Sequence, residues 1–109
     1  MFPAVAEHVK LVDNGMTKYK ISIPDDASAS EEYAANELQT YIKKSSGVTM
    51  PVLKQSQVSN STPVIQLKFD KDYKIEEWSI EFNGDNLVIA GGRTRGVLYG
   101  VYDFLVTEG

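Results

Sequence analysis

The sequence predicts an α+β fold: a two-layer, mixed and mostly antiparallel sheet with two main helices on one face. Three observations predict it. Several short runs alternate apolar and polar residues with a period of two, so that one sheet face is buried and the other wet. One long segment, "PDDASASEEYAANELQTYIKKSSG", carries start and stop signals around a one-sided apolar arc. A second helical segment, in "GGRTRGVLYGVYDFL", follows directly on an apolar strand. The chain has 109 residues, enough for one core and one domain, and shows no internal repeat.

The elements are justified in order. "EHVKLVDNGMTKYKISI" reads as two strands around Asn14-Gly15, a pair suited to the positive φ angles of a hairpin turn. In the second strand Tyr19, Ile21 and Ile23 point inward, and Lys18, Lys20 and Ser22 point to water. The first helix opens on a capping box, Ser28 with Glu31, and closes on Lys43, Lys44 and a left-handed Gly47. Ala34, Ala35, Leu38, Tyr41 and Ile42 fall within an arc of about 120°, the pattern of an ordinary surface helix. "VTMPVL" is a short strand that Pro51 directs to an edge or a bulge.

"PVIQLKF" places Ile65, Leu67 and Phe69 inward, and "EEWSIEF" does the same with Trp78, Ile80 and Phe82. Asn83-Gly84 turns the chain into "NLVIAGG", whose unbroken apolar run suits a more central strand. The last helix differs from the first. Val97, Leu98, Val101, Phe104 and Leu105, continued by Tyr99, Tyr102 and Val106, spread apolar or aromatic side chains over roughly 220° of its circumference. One sheet covers about half of such a helix, so a second body is expected on the rest.

Composition narrows the function. A net charge of −4 argues against nucleic acid or an anionic membrane as the main partner. With no cysteine, disulfides, thiolate metal sites and cysteine nucleophiles are excluded. No apolar run approaches the roughly 18 residues of a membrane-spanning helix. The start, "MFPAVAEHVK", lacks the regions of a signal peptide.

Each candidate for chemistry has a plainer reading. The turn Gly91-Gly92 before a helix start has the outline of an anion site, yet it matches neither a P-loop nor the full dinucleotide fingerprint. The plainer reading is a tight turn with close packing at Gly96 and Gly100. Arg93 and Arg95 oppose the helix dipole and call for an acidic partner, in the domain, on a neighbouring domain or on a ligand. Asp25/Asp26, Glu31/Glu32 and Glu76/Glu77 read as solvated pairs, not as an acid–base dyad. His8 is alone and reads as exposed. Asn60-Ser61-Thr62 is a glycosylation sequon only in a eukaryotic secretory host. Tyr33, Tyr73 and Trp78 could stack on sugar rings, although Trp78 alternates with the inward set.

"IPDDASASEEYAANELQTYIKKSSGVTMPV" and the later "NLVIAGGRTRGVLYGVYDFL" together resemble the non-catalytic N-terminal domain of several bacterial glycoside hydrolases. That domain precedes the barrel in alpha-glucuronidases, beta-N-acetylhexosaminidases and related proteins of carbohydrate-degrading bacteria. The resemblance runs from about Ile21 to Leu105. Its most specific parts are the Glu-Tyr-Ala-Ala-x-Glu-Leu helix and the Arg-Gly-x-Leu-Tyr-Gly segment.

The resemblance implies that residues 1–109 form a single accessory domain, continuing C-terminally into a catalytic (β/α) barrel that would be its partner. The family's catalytic carboxylates lie in that barrel, so no catalytic, cofactor or metal residue is carried onto this chain. It also implies a secreted, periplasmic or extracellular place. The interface residues expected from the last helix are Arg93, Arg95, Tyr99, Tyr102 and Val106. One rival is a carbohydrate-binding module that takes an oligo- or polysaccharide as partner through Tyr73 and Arg93 or Arg95. Another is a small enzyme using the Gly91–Gly96 turn for an anion.

Overall fold

The structure, a computed structural model, describes residues 17–93 and 95–108. Within them β1 (Lys20–Ile23), β2 (Val52–Lys54), β3 (Val64–Phe69), β4 (Trp78–Asn83) and β5 (Asn86–Gly91) form one sheet. The strand order is β2-β1-β3-β5-β4. Helix α1 (Ala29–Ser46) links β1 to β2, and α2 (Gly96–Glu108) follows β5. This is an α+β fold with a mixed sheet and two helices, as the sequence predicts.

Strand direction departs from the expectation of a mostly antiparallel sheet. Among the described residues β1 runs parallel to β2 and to β3, β3 runs parallel to β5, and only β4 and β5 are antiparallel. The reason is connectivity. Alternation reports which face of a strand is buried and is silent on its neighbour's direction. Helix α1 supplies the long crossover that a parallel β1–β2 pair requires. Both edges of β1 are taken, by β2 along Ile21–Ile23 and by β3 along Lys20–Ser22. The strand expected before Asn14-Gly15, that turn and His8 all lie outside the described residues. β2 is an edge strand just after Pro51, where a missing N–H costs least.

The hairpin at Asn83-Gly84 forms, with a one-residue refinement. Asn83 pairs with Asn86, so Gly84 and Asp85 are the loop residues, and Gly84 takes φ 64°. Register then lines up the core. Ile21 lies beside Ile65, Ile65 beside Leu87 and Leu87 beside Phe82, while Leu67, Ile89 and Ile80 make a second row. Against these rows α1 places Ala34, Ala35, Leu38 and Ile42, and α2 places Val97, Val101 and Phe104, in one continuous core. Tyr19 is also buried, and its hydroxyl donates to the Asp85 carbonyl at 2.6 Å, tying the start of β1 to the far hairpin.

The ends of α1 follow the sequence reading. Ser28 Oγ accepts from the Glu31 N–H at 3.2 Å, and Glu31 Oε1 accepts from the Ser28 N–H at 3.0 Å. Gly47 closes the helix at φ 79°. Two burials differ from expectation. Ser22, read as wet, is buried together with Val64 on the sheet face away from the helices, where residues 55–62 fold over them. Glu31, read as solvated, is 1% exposed, for the reason given below.

Candidate domain-docking face

The face is built outward from the joint between β5 and α2. Glycine is required there because backbone passes against backbone. A Cβ on Gly91 would run into Gly96, one on Gly92 into the Lys74 carbonyl, and one on Gly96 into the Glu77 carbonyl. At Gly100 it would stand 2.6 Å from Ile89 Cγ2. Three of the described amides of this turn are already used. Gly92 N–H donates to Glu77 O at 3.1 Å, Arg95 N–H to Ile75 O at 3.3 Å, and Gly96 N–H to Gly92 O at 2.8 Å. These groups are therefore not arrayed for an anion, and the glycines serve close packing.

Arg93 leaves this joint inward, toward α1. Its Nε meets Glu31 Oε2 at 3.2 Å, and one terminal nitrogen meets Glu31 Oε1 and Asp26 Oδ1 at 3.2 Å each. The guanidinium also lies over the Phe69 ring, 4.1 Å from its centroid. Glu31 thus serves twice, in the capping box and in a two-pronged ion pair, and both roles need it close to the helix start. Burying its charge is tolerable because each oxygen has a partner. The hydrogen bonds to Glu31, then to Asp26, hold the Arg93 guanidinium pKa above its ordinary value. The hydrogen bond from Arg93, then its charge, hold the Asp26 carboxyl below its own. Of the acidic partners that the sequence allows for Arg93, the structure supplies two inside the domain, Glu31 and Asp26.

The other four expected interface residues fall together. Arg95, Tyr99, Tyr102 and Val106 follow one another at intervals of three or four residues, a single stripe along the outer side of α2. Val106 is 82% exposed, Tyr102 38%, Tyr99 is half-buried and Arg95 is exposed. Arg95 makes a surface pair with Glu76 at 3.7 Å, and Tyr99 hydrogen-bonding helps raise its pKa. The inner side of the same helix, Val97, Val101 and Phe104, is buried.

Side chains that the sequence reading does not assign to the interface widen this stripe on both flanks. On one side Trp78, expected inward, is 38% exposed. It meets Tyr99 edge-on with ring centroids 6.0 Å apart, and its indole N–H donates to Asp103 Oδ2 at 3.2 Å. Its strand, β4, is an edge strand, and α2 covers only part of it. Ile75, 57% exposed, lies just before that strand, in an open depression with Lys74, Glu76 and Glu77. On the other side Tyr33 of α1 is 51% exposed. Partial burial, then the charge and hydrogen bonding of Tyr33 and Glu37, push the Tyr102 phenol pKa up. The sequence offers Tyr33 only as a sugar-stacking aromatic; its place outside the apolar arc of α1 is the signal that it is exposed.

The result is a surface of tyrosine, tryptophan, valine, isoleucine and arginine. Tyrosine, tryptophan and arginine are enriched where proteins meet proteins. Tyr73 does not join it: half-buried, it donates to Ser79 Oγ at 2.8 Å. Among the described residues no group of three or more His, Cys, Asp or Glu could hold a metal ion. No helix of the described residues is long and apolar enough to cross a membrane. No protein-family model matches the chain, and no curated protein matches it.

Proposed function

We propose that this chain is the non-catalytic N-terminal accessory domain of a glycan-degrading glycoside hydrolase, and that the outer face of α2 packs against and buttresses the catalytic barrel. The observation that carries the docking part is the open stripe Tyr99, Tyr102 and Val106, flanked by Tyr33, Ile75 and Trp78. An apolar surface of this kind gains nothing from the domain's own fold, and removing it from water stabilises a contact by about 25 cal/mol per Å². The glycoside hydrolase part rests on the two segments that resemble such domains. The reaction belongs to the barrel, with this domain fixing one of its walls.

The test compares amide hydrogen exchange of residues 96–106 in this chain and in a polypeptide extended through the downstream sequence. Strong added protection in the extended protein, together with hydrolysis of an aryl glycoside, supports the proposal. Equal exchange in both sinks the docking part, and lack of hydrolysis with protection retained sinks the enzymatic part.

A second reading, a carbohydrate-binding module, draws on the exposure of Trp78. Of the residues the sequence offers for it, Tyr73 is engaged with Ser79 and Arg93 with Glu31 and Asp26, while Arg95 stays exposed beside Glu76. Trp78 is the only tryptophan, so its fluorescence reports directly on that face. Saturable quenching by an oligosaccharide would favour this reading over docking.

A further inference from the structure

The sheet face away from the helices holds a cavity of about 240 Å³. Strand alternation builds its floor. Ile21 and Ile65 enter the helix-side core, so their neighbours Ser22 and Gln66, paired in register on β1 and β3, project to the opposite side. Asn86 joins them from β5, and residues 55–62 form the overhanging wall. That wall is held by its own bonds. Thr62 N–H donates to Ser59 O at 3.1 Å, and the Ser59 and Thr62 hydroxyls are 2.9 Å apart.

Three features of this cavity bear on a ligand. Ser22 as a residue is only 2% exposed and lines the cavity, but its hydroxyl makes no hydrogen bond among the described residues and is not itself sealed from solvent, so it is free to meet a ligand there. Asn86 Oδ1 is taken by the Val64 N–H at 3.0 Å, which leaves its amide NH₂ to donate into the space. Finally, no lining residue is charged, while Val58 and Val64 add an apolar patch. Nothing in such a lining offsets the desolvation of an ionic group. Hydroxyls and amides, which both donate and accept, match a molecule that does the same.

The geometry points to a binding site for a small, neutral, polyhydroxylated molecule, on the order of ten non-hydrogen atoms, held by Ser22, Gln66 and Asn86 from three adjacent strands. It lies across the sheet from α2 and does not depend on the docking proposal. The absence of an aromatic platform makes the affinity modest, on the order of millimolar.

The test is an NMR titration of the 109-residue chain with xylose, glucose, myo-inositol and glycerol, alongside the charged counterparts glucuronate and glucosamine. Saturable shifts at Ser22, Gln66 and Asn86 with one of the neutral compounds, about tenfold weaker with the charged ones, support the site. Ser22→Ala then weakens binding about fivefold. Gln66→Leu, at a half-buried position, gives the same answer should the serine variant fail to fold. Shifts that only grow linearly to about 100 mM mean a cavity that holds water alone, and overturn the proposal. Charged sugars binding as well as neutral ones, or two folded variants that bind like the parent chain, overturn it equally.

Discussion

Helices α1 and α2 lie side by side on the same sheet face, but their exteriors differ. The inner side of α1 is Ala34, Ala35, Leu38 and Ile42, and its outer side carries Glu32, Asn36, Lys43 and Lys44 in water, with Tyr33 the one large aromatic shown, at the flank toward Tyr102. Helix α2 buries Val97, Val101 and Phe104 just as well, yet shows Tyr102 and Val106 to solvent, with Tyr99 half-covered. Folding explains the two inner faces. An outer face needs only to be soluble, and scattered apolar residues there are common, whereas a continuous aromatic and aliphatic stripe is not. The comparison teaches that the outside of α2 answers to something other than this chain's stability.

The sharpest way to break that comparison is substitution on the two sides of α2. Val101→Asp, on the buried side, puts an unpaired carboxylate into the core and costs about 4 kcal/mol or more. In urea titration it should leave the chain largely unfolded. A mild effect would mean that the inner side of α2 is not core at all.

Next in size is the clamp that joins the two helices. Arg93→Met removes the partner of a carboxylate that is 1% exposed, and should cost about 3 kcal/mol at neutral pH. Adding Glu31→Gln in that background should restore part of the loss, because the stranded charge is gone. If the double variant is no more stable than the single one, the ion pair is not what couples α1 to the joint.

Acid gives a gentler version of the same test. The Asp26 carboxyl is held below its ordinary pKa, first by the hydrogen bond from Arg93 and then by its charge. Its contribution is therefore present above the usual carboxylate range and lost as pH falls through the lowered value. Asp26→Asn should flatten the acid limb of urea midpoints measured from neutral pH downward, by a small amount because the group is exposed to solvent.

Smaller still is the cap of α1. Ser28→Ala loses one half of the capping box and should cost about 1 kcal/mol. Thermal denaturation followed by circular dichroism reads it as a modest fall in midpoint. No fall would show that Glu31 is positioned by Arg93 alone.

Much of this architecture is legible in the sequence, for identifiable reasons. The capping box, Gly47, the Asn83-Gly84 hairpin and the inward rows Ile65/Leu67 and Ile21/Ile23 are local signals, each set within a few residues. The wide apolar circumference of α2 is local too, and the open stripe at Tyr102 and Val106 follows from it. Strand direction is not local, since it depends on how the α1 crossover and the later loops lay β1, β3 and β5 beside one another. The burial of Glu31 needs Arg93, 62 residues away. Trp78 alternates correctly, but its exposure depends on β4 being an edge, which no run of six residues states. Ser22 is likewise wet by alternation and buried only because residues 55–62 return over it.

The central claim is that the outer side of α2 is an interface. Its most direct measurement is the change in unfolding free energy caused by Val106→Asp with Tyr102→Ser, made once in this chain and once in the polypeptide extended downstream. The account predicts a change within about 0.5 kcal/mol in the first and more than about 2 kcal/mol in the second. Equal small changes in both proteins would contradict it.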